Sequence, residues 1–255
     1  MIDKQQLTEL LKSNPLQSVT CKGKISLLRC FYDHPHIVKV TLDTGDELSV
    51  TDILQLIINR PKLDGLCVIA SKIKFSCGEE RSYLSICNKN ELNEVGPDWI
   101  PLIQQMHRAC TLSLEGSFHM SVLKCFGTFK GTLNSLTLSN FRDYDGCLCL
   151  LTHLPNLDEL YYLSTTNISG LVCKYCTNLQ ALHIMGDRIR YTELMSIVQA
   201  CRKLDYAEIQ VDMCLDTDVI KSIAACIVHI SKLILKSRYG GTAQTIIFRC
   251  GVVSN

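Results

Sequence analysis

The chain has 255 residues, 47% of them hydrophobic and 20% charged, with a formal net charge of +1. This composition suits a packed, folded chain and excludes a disordered one. The near-zero charge gives no excess to steer the chain onto nucleic acid or an anionic membrane, so neither is an expected partner.

At the N-terminus, Met1-Ile2-Asp3-Lys4-Gln5-Gln6 is polar and runs into an amphipathic segment, which predicts no secretory signal. The apolar stretch 220–235 contains Lys221, His229 and Lys232 and is too short and polar to span a bilayer. Fifteen cysteines, an odd count, fit a reducing compartment better than a disulfide framework, so a cytoplasmic or nuclear location is expected. Most of them read as buried free thiols.

Along the chain the pattern L-x-x-L-x-L recurs with conservative replacements, and each copy predicts a short strand. Copies start at Leu16, Ile37 and Leu63, then at Ala109, Leu133, Leu157, Leu179, Leu204 and Ile230. The clearest are Leu133-Asn134-Ser135-Leu136-Thr137-Leu138 and Leu179-Gln180-Ala181-Leu182-His183-Ile184. From Ala109 onward the starts fall 24, 24, 22, 25 and 26 residues apart. The 46-residue step from Leu63 to Ala109 is close to two periods, and Arg81-Ser82-Tyr83-Leu84-Ser85-Ile86 reads as a degenerate copy inside it.

Helix starts are signalled by Thr8-Glu9-Leu10-Leu11, Thr51-Asp52-Ile53-Leu54, Thr192-Glu193-Leu194-Met195 and Thr217-Asp218-Val219-Ile220. The Thr hydroxyl is the expected cap, and the acid sits where the helix dipole favours negative charge. Leu194, Ile197, Val198 and Cys201, and likewise Val219, Ile220, Ile223 and Ile227, continue a buried stripe at helical spacing. Each unit therefore reads helix, short link, strand. One unit cannot bury both its strand and its helix face, whereas stacked units share a continuous core.

These motifs resemble the leucine-rich repeat superfamily, and within it the cysteine-containing, helix-bearing subclass found in the repeat regions of F-box proteins, related to the ribonuclease-inhibitor type. The resemblance covers about residues 7–240. It is carried also by Cys176-Thr177-Asn178-Leu179 and Cys201-Arg202-Lys203-Leu204, and by Pro61-Lys62-Leu63 and Pro155-Asn156-Leu157 at the same corner. It implies an α/β solenoid, a horseshoe of about nine or ten units with a parallel concave sheet and helices on the convex side. The whole chain, 1–255, reads as one such domain, with a degenerate repeat or insertion near 74–99. The Asn expected after the last strand Leu is replaced by Ser71, Ser117, Thr165, Asp187 and Asp212, so the regular Asn ladder is missing. The run Thr245-Ile246-Ile247-Phe248 reads as a covered closing strand.

If the motif leucines point inward, the residues between them face the concave side. These are Lys39, Thr41 and Asp43, then Thr111, Ser113 and Glu115, then Ser135, Thr137 and Ser139. The next three units present Glu159, Tyr161 and Leu163, then Ala181, His183 and Met185, then Tyr206, Glu208 and Gln210. Tyr and Met give large contact area at little charge cost. Tyr161, Leu163, His183, Met185, Tyr206 and Glu208 are therefore the expected partner-binding patch.

Cys173-Lys174-Tyr175-Cys176 is a lone C-x-x-C without the second pair a zinc site needs, and reads as repeat core. No G-x-S-x-G, H-E-x-x-H or phosphate loop occurs. Gly240-Gly241-Thr242 reads as a turn, histidines such as His34, His36 and His119 as scattered loop residues, and the sequon Asn167-Ile168-Ser169 as chance. No catalytic residue, metal site or cofactor is expected. The leading reading is a scaffold that binds a protein partner on its concave face. A narrower version, implied by the resemblance, is a substrate-recognition module working with ubiquitin-ligase subunits but lacking its own F-box. A cysteine-dependent enzyme is the remaining alternative.

Overall fold

In the computed structural model the strands begin two residues after the first apolar residue of each repeat. The structure describes residues 9, 17–22, 37–43, 49–59, 63–70, 73–78, 82–89, 93–239, 243–249 and 252–254. The helix signalled at Thr8, the glycine pair at Gly240, and His34 and His36 lie outside these residues, apart from Glu9. The chain forms two compact units, Met1–Cys125 and Phe126–Asn255.

The first unit holds strands β1 (Ser18–Lys22), β2 (Lys39–Asp43), β3 (Gly65–Ile69), β4 (Ile73–Gly78), β5 (Tyr83–Asn88) and β6 (Thr111–Glu115). Its helices are α1 (Val50–Asn59), α2 (Ile100–Gln104) and α3 (Met120–Cys125). β1, β2 and β3 pair in parallel, as do β5 and β6. β4 runs antiparallel to both β3 and β5. Between β3 and β5 the chain thus returns by a strand rather than a helix. Phe75 on β4 is buried and lies 6.3 Å from the ring of Trp99.

The second unit holds β7 (Ser135–Ser139), β8 (Glu159–Leu163), β9 (Ala181–Ile189), β10 (Tyr206–Val211), β11 (Lys232–Ser237), β12 (Gln244–Arg249) and β13 (Val252–Ser254). Its helices are α4 (Tyr144–His153), α5 (Ser169–Tyr175), α6 (Tyr191–Ala200) and α7 (Thr217–Cys226). β7 to β11 pair in parallel, each with the next, because every crossover carries a helix. β12 and β13 add antiparallel at the far side.

The burial pattern follows the strand period of two. Leu136, Leu138, Leu160, Tyr162, Leu182, Ile184, Ala207, Ile209, Leu233 and Leu235 are all fully buried, and the helix stripes of Leu194, Ile197, Val198 and Cys201 share that core. In α7 the stripe is shallower: Ile223 and Ile227 are buried, whereas Val219 and Ile220 are only half-buried. This is the α/β leucine-rich repeat architecture that the motif spacing predicts. Among the described residues no helix is long and apolar enough to cross a membrane.

Three local expectations are corrected. The helices start where the Thr–acid signals lie, but Thr is not the cap. Ser49 Oγ accepts the Thr51 amide before α1, Asp216 accepts the amides of Asp218 and Val219 before α7, and Glu193 reaches back to the Arg190 amide at α6. Before α1 and α7 a hydroxyl or carboxylate one or two residues ahead of the Thr reaches the exposed N–H groups, and at α6 the acid after the Thr reaches back to the residue before the helix.

The corner ladder is also one residue earlier than expected. Asn88 Nδ2 donates to the Ser117 and Asn93 carbonyls, Ser164 Oγ to Phe141 O, and Ser237 Oγ to Met213 O. Each of these donors is buried, where an unmade bond would cost most. The same position holds Gly116 and Gly186, both with positive φ, and a Cβ on Gly186 would lie 3.0 Å from Ser164 O.

Finally, only Cys77, Cys147, Cys149, Cys176 and Cys201 of the thirteen described cysteines are buried, and Cys214 and Cys226 are exposed. Cys176 and Cys201 sit at the core-facing strand entry, and Cys77, Cys147 and Cys149 on core-facing strand and helix positions, whereas the remaining described cysteines are half-buried or exposed.

Candidate functional site

Five parallel strands of the second unit place the expected patch on one exposed sheet face. The entry to each strand is held by its neighbour: the amides of Asp158 and Glu159 share Asn134 O, those of Gln180 and Ala181 share Asp158 O, and those of Asp205 and Tyr206 share Gln180 O. The resulting register sets two rows across the strands. Glu159, Ala181, Tyr206 and Lys232 form the first, and Tyr161, His183, Glu208 and Ile234 the second. Leu163 pairs with Met185 beyond them.

The rings come together within this grid. Tyr161 stacks on His183 with centroids 4.3 Å apart and planes 15° from parallel. His183 is tilted against Tyr206 at 5.0 Å. Lys232 Nζ lies 5.3 Å from the Tyr206 centroid, within cation–π range.

Glu208 is the polar hub. It accepts from Lys236 Nζ at 2.5 Å, from Tyr206 Oη at 3.3 Å and from His183 Nδ1 at 3.3 Å. Lys236 was not among the residues expected from sequence. It falls one strand beyond the aromatic cluster, and its only signal is an outward strand position beside Gln210.

Charge states follow from these contacts. The hydrogen bond from Lys236 is the largest influence holding the Glu208 carboxyl below its ordinary range, so it is ionised at neutral pH. Burial pulls His183 below its ordinary value, and the Glu208 charge only partly offsets this. The imidazole is therefore neutral at pH 7. Because an ionised carboxylate can only accept, Nδ1 carries the proton and Nε2 is left as an acceptor. Burial raises both tyrosines, with Glu159 adding to the rise at Tyr161.

The structure thus brings Tyr161, His183, Tyr206 and Glu208 into direct contact. Leu163 is 43% exposed and Met185 half-buried, and together they extend the strip on its apolar side. By contrast β7 offers only Thr137 and Ser139, and Ser135, expected on the same face, is buried. Next to Met185, β9 carries an irregularity in its register with β10, where Gln210 Oε1 accepts the Gly186 amide.

The other sequence features resolve locally. Cys173 lies in α5 and Cys176 caps it. Burial pushes the Cys147, Cys176 and Cys201 thiols up to about 12, and Cys87 to about 11. That direction is opposite to what a thiolate nucleophile needs. Among the described residues no group of three His, Cys, Asp or Glu side chains could hold a metal. Asn167 accepts from Ser169 at the start of α5, and His119 bonds Ser121 at the start of α3.

Stacked strand–link–helix units of this period define a protein of leucine-rich-repeat-like fold. No family model matches the sequence, and no curated protein matches it. Among solved structures the chain is similar to an internalin from Listeria monocytogenes, at 15% identity and a TM-score of 0.45, covering 91% of this chain and 76% of that one. It is also similar to a chain of the yeast Rad7–Elc1 complex, at 12% identity and a TM-score of 0.40, covering 91% and 72%. A member of the enolase superfamily from Enterococcus faecalis matches at 11% identity with a TM-score of 0.22, covering 97% and 60%.

Proposed function

We propose that this chain is a protein-interaction scaffold whose docking surface is the sheet face of β8 to β11. The contact between the rings of Tyr161, His183 and Tyr206 carries the reading. Three rings held against one another on regular strands are already ordered, so a partner meets large, rigid contact area at little entropic cost. The interior strands of the face use their backbone groups in the parallel ladder. A partner therefore reads side chains here and does not add a strand.

The test is affinity capture from source-cell lysate with mass spectrometry. Wild type is compared with a Tyr161→Ala, Met185→Ala, Tyr206→Ala variant whose folding is verified by circular dichroism. A partner held by the wild type and lost by the variant supports the reading. A partner bound equally by both removes the surface from consideration. Ligase subunits among the captured proteins would favour the ubiquitin-related version of the scaffold.

A further inference from the structure

The face has a charge and shape feature that the scaffold reading does not use. In the first row Ala181 stands between Glu159 and Tyr206, so a single methyl separates two long side chains. At the ordinary strand spacing those neighbours are roughly 10 Å apart at their Cα atoms. The His183 ring closes the third side. The outcome is a notch with an alanine floor, a carboxylate wall, and aromatic walls.

The wall carboxylate differs from its neighbour. Glu208 is satisfied by Lys236, His183 and Tyr206. Glu159 has no cation within ion-pair distance among the described residues. Along the two rows and the strand position beside them, Glu159 and Glu208 stand with Lys232, Lys236 and Arg249; Lys236 takes up the Glu208 charge, which leaves Glu159 as the carboxylate that an incoming cation would meet.

We infer that the notch over Ala181 takes a basic side chain of the partner, an arginine guanidinium, paired with Glu159 and packed against the Tyr206 and Tyr161 rings. This inference rests on the docking-surface reading and names the partner's chemistry at that surface. The flat guanidinium fits a slot between ring and carboxylate, where it makes charge-assisted hydrogen bonds to one wall and a cation–π contact with the other. Neutral His183 adds no positive charge to the slot, and the Lys232 ammonium lies over the Tyr206 ring from the next strand, beyond Tyr206 from the alanine. An acidic partner segment would instead meet Glu159 and Glu208 at close range.

The probe is N-acetyl-arginine amide, titrated into the full chain while the ring signals of Tyr161, Tyr206 and His183 are followed by NMR. The citrulline analogue, isosteric and uncharged, is the control. Saturable shifts at these three residues with arginine, weaker by about tenfold in Glu159→Gln, are expected. Equal shifts with citrulline, unchanged binding in Glu159→Gln, or no shifts at these residues with arginine overturn the inference.

A second measurement separates it from the scaffold reading. Should the captured partner be lost in the triple variant yet be held at wild-type strength by Glu159→Gln, the surface stands and the arginine notch falls. Loss of the partner in both, with arginine shifts at the notch, supports the two together.

Discussion

Replacing Glu208 by Gln tests the electrostatics of the strip directly. In the wild type the imidazolium form of His183 would lie 3.3 Å from a Glu208 oxygen, and the two side chains are 18% and 19% exposed. Coulomb's law at that separation gives about 1 kcal/mol even in a water-like dielectric, and more where solvent is partly excluded. This attraction favours the protonated imidazole and partly opposes burial, which acts the other way.

Gln keeps the shape and an acceptor oxygen but removes the charge. It also leaves the Lys236 ammonium, which disfavours His183 protonation, without its counter-charge. Both changes act in the same direction. The ratio of protonated to neutral His183 at a given pH is expected to fall by roughly five- to tenfold. The assay is a pH titration of the His183 ring protons by NMR, assigned by their disappearance in His183→Gln. A titration midpoint that stays put or rises in Glu208→Gln would refute the arrangement.

The same two groups set a stability–pH dependence. His183 titrates below its ordinary 6.5 and Glu208 below its ordinary 4.5 in the folded chain, so the unfolded chain binds more protons in both windows. Stability measured by urea unfolding is therefore expected to fall as pH drops below about 6.5 and again below about 4.5, and His183→Gln should flatten the first fall. A wild-type profile without slope between neutral pH and the lower window would count against burial of His183. Gly186→Ala should destabilise by about 1–2 kcal/mol, because it forces a Cβ onto a positive-φ backbone against Ser164 O. Gly170→Ala, with nothing within 4 Å of its Cβ and a helical backbone, should stabilise by about 0.5–1 kcal/mol; chemical unfolding of both variants checks the pair. With a thiol reagent, Cys214 and Cys226 should react first and Cys147, Cys176 and Cys201 only on unfolding. Fast labelling of a buried cysteine in the native chain would show that the core opens.

By itself the sequence determined the repeat. A period-two apolar pattern recurring every 22 to 26 residues leaves one way to bury Leu160, Leu182, Ala207 and Leu233 together, with Tyr161, His183 and Glu208 turned outward. The starts of α1, α6 and α7 were legible from the Thr–acid–apolar–apolar runs, whereas α2 to α5 carry no such signal. Other features were decided only by neighbours in space. Whether a hydroxyl, a carboxylate or a glycine serves each corner depends on the carbonyl the preceding repeat presents there, as Ser164 meets Phe141 and Gly186 meets Ser164. The β4 return was hidden because Ile73, Phe75 and Cys77 alternate like any strand, and only pairing reveals an antiparallel one. The stacking of Tyr161 on His183, and the choice of Glu208 rather than Glu159 as the partner of Lys236, depend on ring packing and side-chain reach across strands about 4.8 Å apart. A linear pattern can put side chains on one face, but it does not encode which of them touch.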